Sequence, residues 1–306
     1  MNEVSARSNT RAFLLLSVWA ANLGASVLLF RIGTPVAIVF AELFLALFLF
    51  QNFILLHEAG HGAFFRTRFL HPVLGNLTGF LAGIPYASWK PIHSLHHVWT
   101  GYRDRDPTTE KTFVELLKPR QRGIIAFCWR YWIPIFTLGY RIGIFWNSEK
   151  LRRHLSPEAY ARARRAMGIH LILYAALIAT FGTSLFLILP AILMSFVLSD
   201  LVTLSQHSHI RMEHSGGKDV SPVPTRNQVK YTRSLLAPRI VSNYLFFNFN
   251  LHEAHHAAPA WPCYRLEHVE LPETRGIASP IVRYVREAKR MNGVDFIFDS
   301  RPDCPF

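Results

Sequence analysis

Apolar positions crowd into four runs, near residues 12–30, 36–56, 167–189 and 191–206, separated by polar and basic segments. At about 1.5 Å of rise per residue, about 20 residues span some ~30 Å of hydrocarbon. Arg31-Ile32-Gly33-Thr34-Pro35 makes a tight turn between the first two runs, and Pro190 marks the turn between the last two. The pattern therefore predicts two transmembrane hairpins. The fourth run is short and carries Asp200, as expected of a helix that leaves the bilayer near Gln206. Glu42, in the second run, is read as an inward-facing hydrogen-bond partner, because an ionisable group facing lipid is costly. Residues 73–84 form a shorter apolar stretch, interrupted by Gly75, Gly79 and Gly83, and are expected to be interfacial or re-entrant. Across residues 113–146, Trp129, Tyr131, Trp132, Tyr140 and Trp146 interleave with arginines, which suits helices at headgroup level. Residues 242–250 form another interfacial stretch. Residues 1–11 read as polar and mobile, and the tail reads as polar. The fold class predicted is all-α integral membrane. A single domain has four transmembrane helices in two hairpins, interfacial helices, and a histidine-rich cap from residues 57–166 and 207–306.

Composition supports a membrane location. Half the residues are hydrophobic, 24 are phenylalanine and only 17% are charged, against about 25% in a typical soluble chain. The net charge of +13 is not gathered into one tract beside a reading helix, so anionic lipid explains it better than nucleic acid does. Of 33 Lys and Arg, Arg31 alone falls in a predicted outer turn. The positive-inside rule then places both termini and the middle loop of this multi-pass protein in the cytoplasm. Cys128, Cys263 and Cys304 form no paired motif and read as free thiols on a reducing side. The first apolar run is too long for a cleavable signal.

The chemistry lies in histidines. His57 and His61 stand in H-E-A-G-H, His93, His96 and His97 in H-S-L-H-H, and His252, His255 and His256 in H-E-A-H-H. These i, i+3 and i+4 offsets put each set on one face of a helix. A lone histidine on such a face is usually structural; three matching sets point to metal. Imidazole suits iron, zinc, copper or nickel, so spacing does not name the ion. Eight clustered histidines are too many for one ion and suit two. His207, which continues the fourth helix, is the preferred addition, with His209 and His214 left open. Asp104, Asp106, Glu58 and Glu253 lie close enough in sequence to accept an imidazole N–H and fix its orientation. Asp104 and Asp106 could equally pair with Arg103 or Arg105.

Two other readings compete. His57-Glu58-Ala59-Gly60-His61 satisfies H-E-x-x-H, the pattern of a zinc metalloprotease with Glu58 as general base, and so does the last motif. A single zinc would leave most of the clustered histidines idle. Haem binding or metal transport usually needs histidines at membrane depth, whereas these follow the spans.

The three motifs in this order around two hairpins resemble the membrane fatty acid desaturase superfamily, whose pattern is HxxxH, HxxHH, HxxHH. The resemblance covers residues 12–270 and extends to Asp106-Pro107 and to Gln206-His207-Ser208-His209. It implies that His57, His61, His93, His96, His97, His252, His255 and His256 are iron ligands, with His207 as the additional one. It also implies two iron ions, O2 as co-substrate, a lipid or acyl-chain substrate and an external electron donor. No donor domain is fused here, so a separate ferredoxin- or cytochrome b5-like partner is implied. The activity implied is an acyl desaturase. Hydroxylases and ketolases of lipids, carotenoids or alkanes share the motifs.

Overall fold

This computed structural model describes residues 7–272 and 277–298; Cys304 and residues 1–6 lie outside them. The helices are α1 (Asn9–Ile32), α2 (Pro35–His61), α3 (Leu70–Ala82), α4 (Tyr86–Trp99), α5 (Pro119–Arg130) and α6 (Ile135–Tyr140). They continue with α7 (Ser148–His154), α8 (Pro157–Phe181), α9 (Leu189–His207), α10 (His252–Ala257), α11 (Ile281–Arg290) and α12 (Gly293–Phe298). Strands β1 (Arg233–Leu236) and β2 (Ile277–Pro280) pair in parallel, a small departure from an all-helical chain.

Local chemistry sets the first hairpin. The Ser8 hydroxyl caps α1 by accepting the Arg11 N–H, so a helix starts inside the stretch expected to be mobile. Gly33 ends α1 at φ 73°, a left-handed conformation that glycine adopts without a Cβ penalty. Thr34 then caps α2, with Pro35 at its first turn. Residues 50–59 of α2 are buried on every side, which makes this helix the centre of the bundle. α1 packs along one flank of α2, α9 along another, and α3 across it.

Three apolar helical stretches are long enough to cross a membrane: Asn9–Ile32, Pro35–His61 and the 51-residue stretch Pro157–His207. The last holds α8 and α9, and here the structure differs from the expected second hairpin. The turn is a 3-10 segment, Gly182–Ile188, and Pro190 sits in the first turn of α9, where its missing N–H costs nothing. Instead of pairing mainly with each other, α8 lies against α4 and α9 against α2. Leu14, Leu28, Val39, Phe40, Ile172 and Leu187 remain exposed, forming the apolar belt that lipid would cover.

Asn22, Glu42 and Gln51 of the first two helices face inward. The Asn22 amide donates to Gln51 Oε1 at 2.9 Å, and Gln51 donates to the Tyr244 carbonyl at 2.9 Å. Glu42 accepts the Ala191 N–H at 2.8 Å, placing a carboxylate at the positive end of α9. The tail is less polar than it reads. Trp129 of α5 stacks on Phe296 of α12, and Tyr284 and Ala288 of α11 complete a small second core.

Candidate metal centre

α2 and α9 end at the same side of the bundle, so His57 and His61 meet His207 there. α4 brings His93, His96 and His97, and the six-residue α10 brings His252, His255 and His256. The turn before α10 is strained: Phe247 and Asn248 take φ values of 47° and 57°. Asn248 is held by its own side chain, which accepts from Ser242 and donates to the Cys263 carbonyl.

The nine imidazoles converge as two groups. His57, His61, His93, His97 and His255 form one; His96, His207, His252 and His256 form the other. Each of the two H-H pairs is thus divided. Consecutive helical residues point ~100° apart, so neighbouring imidazoles diverge while i and i+4 partners stay together. His93 with His97 serves the first group and His96 the second; His252 with His256 serves the second and His255 the first. The single face expected from spacing is in fact a seam between two sites.

Within the first group, Nε2 atoms lie 2.8 Å apart for His61 and His93, 3.1 Å for His93 and His97, and 3.0 Å for His97 and His255. In the second they lie 2.9 Å apart for His207 and His252 and 3.1 Å for His252 and His256. Around an ion bound at about 2.1 Å, ligands at right angles sit ~3.0 Å apart and tetrahedral ligands ~3.4 Å apart. The observed edges match the former. The buried Nε2 of His57 has no hydrogen-bond partner among the described residues. Burial, then the neighbouring imidazoles, hold His93, His97, His252, His255 and His256 well below the ordinary histidine pKa. They are neutral, with lone pairs free for a cation.

Behind the rings, acceptors fix the tautomers. His96 Nδ1 donates to Asp106 Oδ2 at 2.6 Å, and Asp106 Oδ1 accepts the Thr108 N–H and hydroxyl at 2.8 Å each. Burial raises the Asp106 pKa, but His96 and Thr108 outweigh it and hold the carboxyl below its ordinary value. His57 Nδ1 faces Glu58 Oε1 at 3.3 Å, and His207 Nδ1 donates to the Tyr231 carbonyl at 3.1 Å. His256 Nδ1 donates to Gln228 Oε1 at 2.9 Å, while Gln228 Nε2 donates to the His97 carbonyl at 2.7 Å. Gln228 thus ties the two groups together, and nothing in its polar loop marks it in the sequence.

Other candidates lie elsewhere. Asp104 is turned toward the loop after α9, accepting the Ser215 N–H at 2.9 Å and its hydroxyl. Glu253 is buried, and its backbone N–H donates to Ser234. His209 donates to the Asp295 carbonyl, and His214 is exposed and accepts the Gly216 N–H. Gly60 of the first motif has a packing reason, since a Cβ there would meet the Trp89 ring at 2.1 Å. Trp89 in turn stacks on His93 with centroids 4.2 Å apart.

A cavity of about 380 Å³ opens beside both groups, with His57, His93, His96, His207 and His252 on its wall. Phe53, Ile135, Phe136, Ile144 and Leu204 make much of it apolar. α6 runs into a π-helical turn, Arg141–Phe145, and a Cβ added at Gly139 or Gly143 on this wall would meet nothing within 4 Å. A smaller pocket of about 50 Å³ shares Phe53, Phe136, Tyr140, Thr203 and Leu204 and reaches Arg141 and Asp200.

The family model for fatty acid desaturases matches residues 33–280, the segment that holds all nine imidazoles. This chain belongs to the fatty acid desaturase family. The fatty acid desaturase of Bacillus subtilis (strain 168) is 27% identical over 230 residues, covering 72% of this chain and 63% of that protein. The chloroplastic sn-2 acyl-lipid omega-3 desaturase (ferredoxin) of Helianthus annuus is 26% identical over 261 residues, 80% of this chain and 56% of that one. The endoplasmic reticulum acyl-lipid omega-3 desaturase (cytochrome b5) of Arabidopsis thaliana is 25% identical, over 79% of this chain and 64% of that one. This desaturase-family chain therefore spans about three-fifths of the length of these curated relatives.

Proposed function

We propose that the protein is an oxygen-dependent di-iron desaturase that introduces a double bond into the acyl chain of a lipid. The observation that carries this reading is the division of nine imidazoles into groups of five and four beside an apolar cavity. His57, His61, His93, His97 and His255 would hold one iron, and His96, His207, His252 and His256 the other. A pair of irons supplies the reduction of O2 and the removal of hydrogen from an unactivated methylene. The chain's own residues do the positioning. Phe53, Phe136 and Leu204 enclose a methylene chain and exclude water, and the smooth wall at Gly139 and Gly143 lets it lie against the helix. Asp106, Gln228, Glu58 and the Tyr231 carbonyl hold Nδ1 protons so that Nε2 lone pairs face inward.

The zinc peptidase reading is weaker on geometry. Its general base would have to reach a water in the site, but Glu58 stands behind His57 and accepts the Cys263 N–H at 2.9 Å. We assign a multi-pass location in the cell membrane if the source is bacterial, with both termini and the histidine cap cytoplasmic, and four crossings. Electrons come from a separate ferredoxin- or cytochrome b5-like donor. The purified protein is expected to carry two irons, and lipids of an expressing host should gain a double bond, read by mass spectrometry. One zinc with no oxygen uptake would overturn the proposal. A new hydroxyl or keto group in place of the double bond would move it to the hydroxylase or ketolase branch.

A further inference from the structure

The cavity wall is one side of α4; the other side has a use of its own. His93, His96 and His97 point inward from this helix, and Ser94, Leu95 and Val98 point outward into an open groove of about 710 Å³ between α4 and the start of α8. The groove floor is apolar at Leu95 and Val98, and Lys90, Arg162 and the half-buried His154 stand at its edges. Around it, α7 and the first turns of α8 expose Arg152, Arg153, Arg162, Arg164 and Arg165 against two exposed glutamates, Glu149 and Glu158. An apolar centre with a charged rim is the anatomy of a protein-docking patch.

We propose that this groove docks the electron donor, an acidic soluble protein carrying one redox centre. The inference rests on the di-iron reading. Two observations favour such a carrier over an anionic lipid headgroup. The groove is separated from the imidazoles of both groups only by α4, whose diameter with side chains is ~10–12 Å. Electron tunnelling falls off exponentially with distance, so this is a short way in from the surface. Trp89, the residue before Lys90, is buried on the inner side of α4 and stacks on His93 at 4.2 Å, so an aromatic ring lies beside the first group within the helix that floors the groove. At each docking the carrier's centre is oxidised by one electron and a ferric ion of the pair is reduced by one. The basic rim steers the acidic carrier, and the steering weakens with salt.

The test compares the 306-residue chain with its Lys90→Glu/Arg162→Glu variant, both in detergent. Both side chains are exposed, so the fold should tolerate the change. The probes are a plant-type [2Fe–2S] ferredoxin and the soluble domain of a cytochrome b5. Binding is measured by biolayer interferometry on metal-free and iron-loaded protein, and iron reduction is followed by stopped flow. Expected is a rise in Kd on the order of tenfold and a flatter salt dependence, with reduction by dithionite unchanged. Equal binding and equal donor-driven reduction in the two proteins would overturn the proposal. So would a failure of both carriers to bind the unaltered chain, or discrimination between the proteins only by vesicles of anionic lipid. Absence of a dithionite-reducible iron pair would instead defeat the di-iron reading, and binding to metal-free protein separates the two failures.

Discussion

Asp106 and Asp104 carry the same charge two residues apart, yet the structure gives them different duties. Asp106 is 1% exposed and accepts from His96 and from the Thr108 N–H and hydroxyl. Charged hydrogen bonds of this kind are roughly twice as strong as neutral ones. Losing such a partner behind a metal-bound histidine typically costs 10- to 100-fold in metal affinity, about 1.4–2.8 kcal/mol. Asp106→Asn still offers an oxygen to His96 and belongs at the lower end. Asp106→Ala belongs at the upper end, and also leaves the Thr108 N–H unpaired at a cost of about 1–3 kcal/mol in stability. The loss should fall on the group of His96, His207, His252 and His256. On the proposed di-iron reading, iron measured by plasma mass spectrometry under a graded chelator challenge should therefore drop from two ions per chain to one before the other site empties. Asp104→Asn should hold both ions as the parent does, because its partner is Ser215. Full retention by Asp106→Ala, or an equal loss in Asp104→Asn, would refute the assignment of His96 and its acceptor.

Three further outcomes are expected. Gln228→Ala should loosen both ions about tenfold or more and lower the melting temperature, because it strips the acceptor from His256 and the donor from the His97 carbonyl. Gly60→Ala should destabilise the fold by about 1–3 kcal/mol, since its Cβ has no room beside Trp89; unchanged thermal melting would contradict that packing. Metal-free protein should lose stability as pH falls through 6.5, the ordinary histidine value. The unfolded chain takes up protons there, while His93, His97, His252, His255 and His256 are kept neutral in the fold. The lowered Asp106 works in a different window, because its contribution is intact above the ordinary aspartate value of 3.8 and is lost only as pH falls below it. Melting curves from about pH 8 to about pH 5 should thus report the histidines, and a flat profile would count against their burial as neutral groups.

Much of this molecule is written locally. Gly33, Thr34 and Pro35 specify the first turn through backbone preference, and the apolar runs specify long helices. The i, i+3 and i+4 offsets specify imidazoles on shared faces, because these depend only on neighbours a turn away. The inward-facing Glu42 could be anticipated as well. Other features depend on what packs where. The second turn falls at Gly182–Ile188 and not at Pro190, since proline fits the first turn of α9 without disturbing it. The tail builds a core because Trp129, far away in sequence, offers it a surface. Asp104 and Asp106 are alike until a chain turn points one at Ser215 and the other at His96. The five-and-four division of the histidines needs two helices facing each other across two sites, and Gln228 matters only because its loop crosses both. Periodicity says which side of a helix a residue occupies; only packing against distant segments says what that side meets.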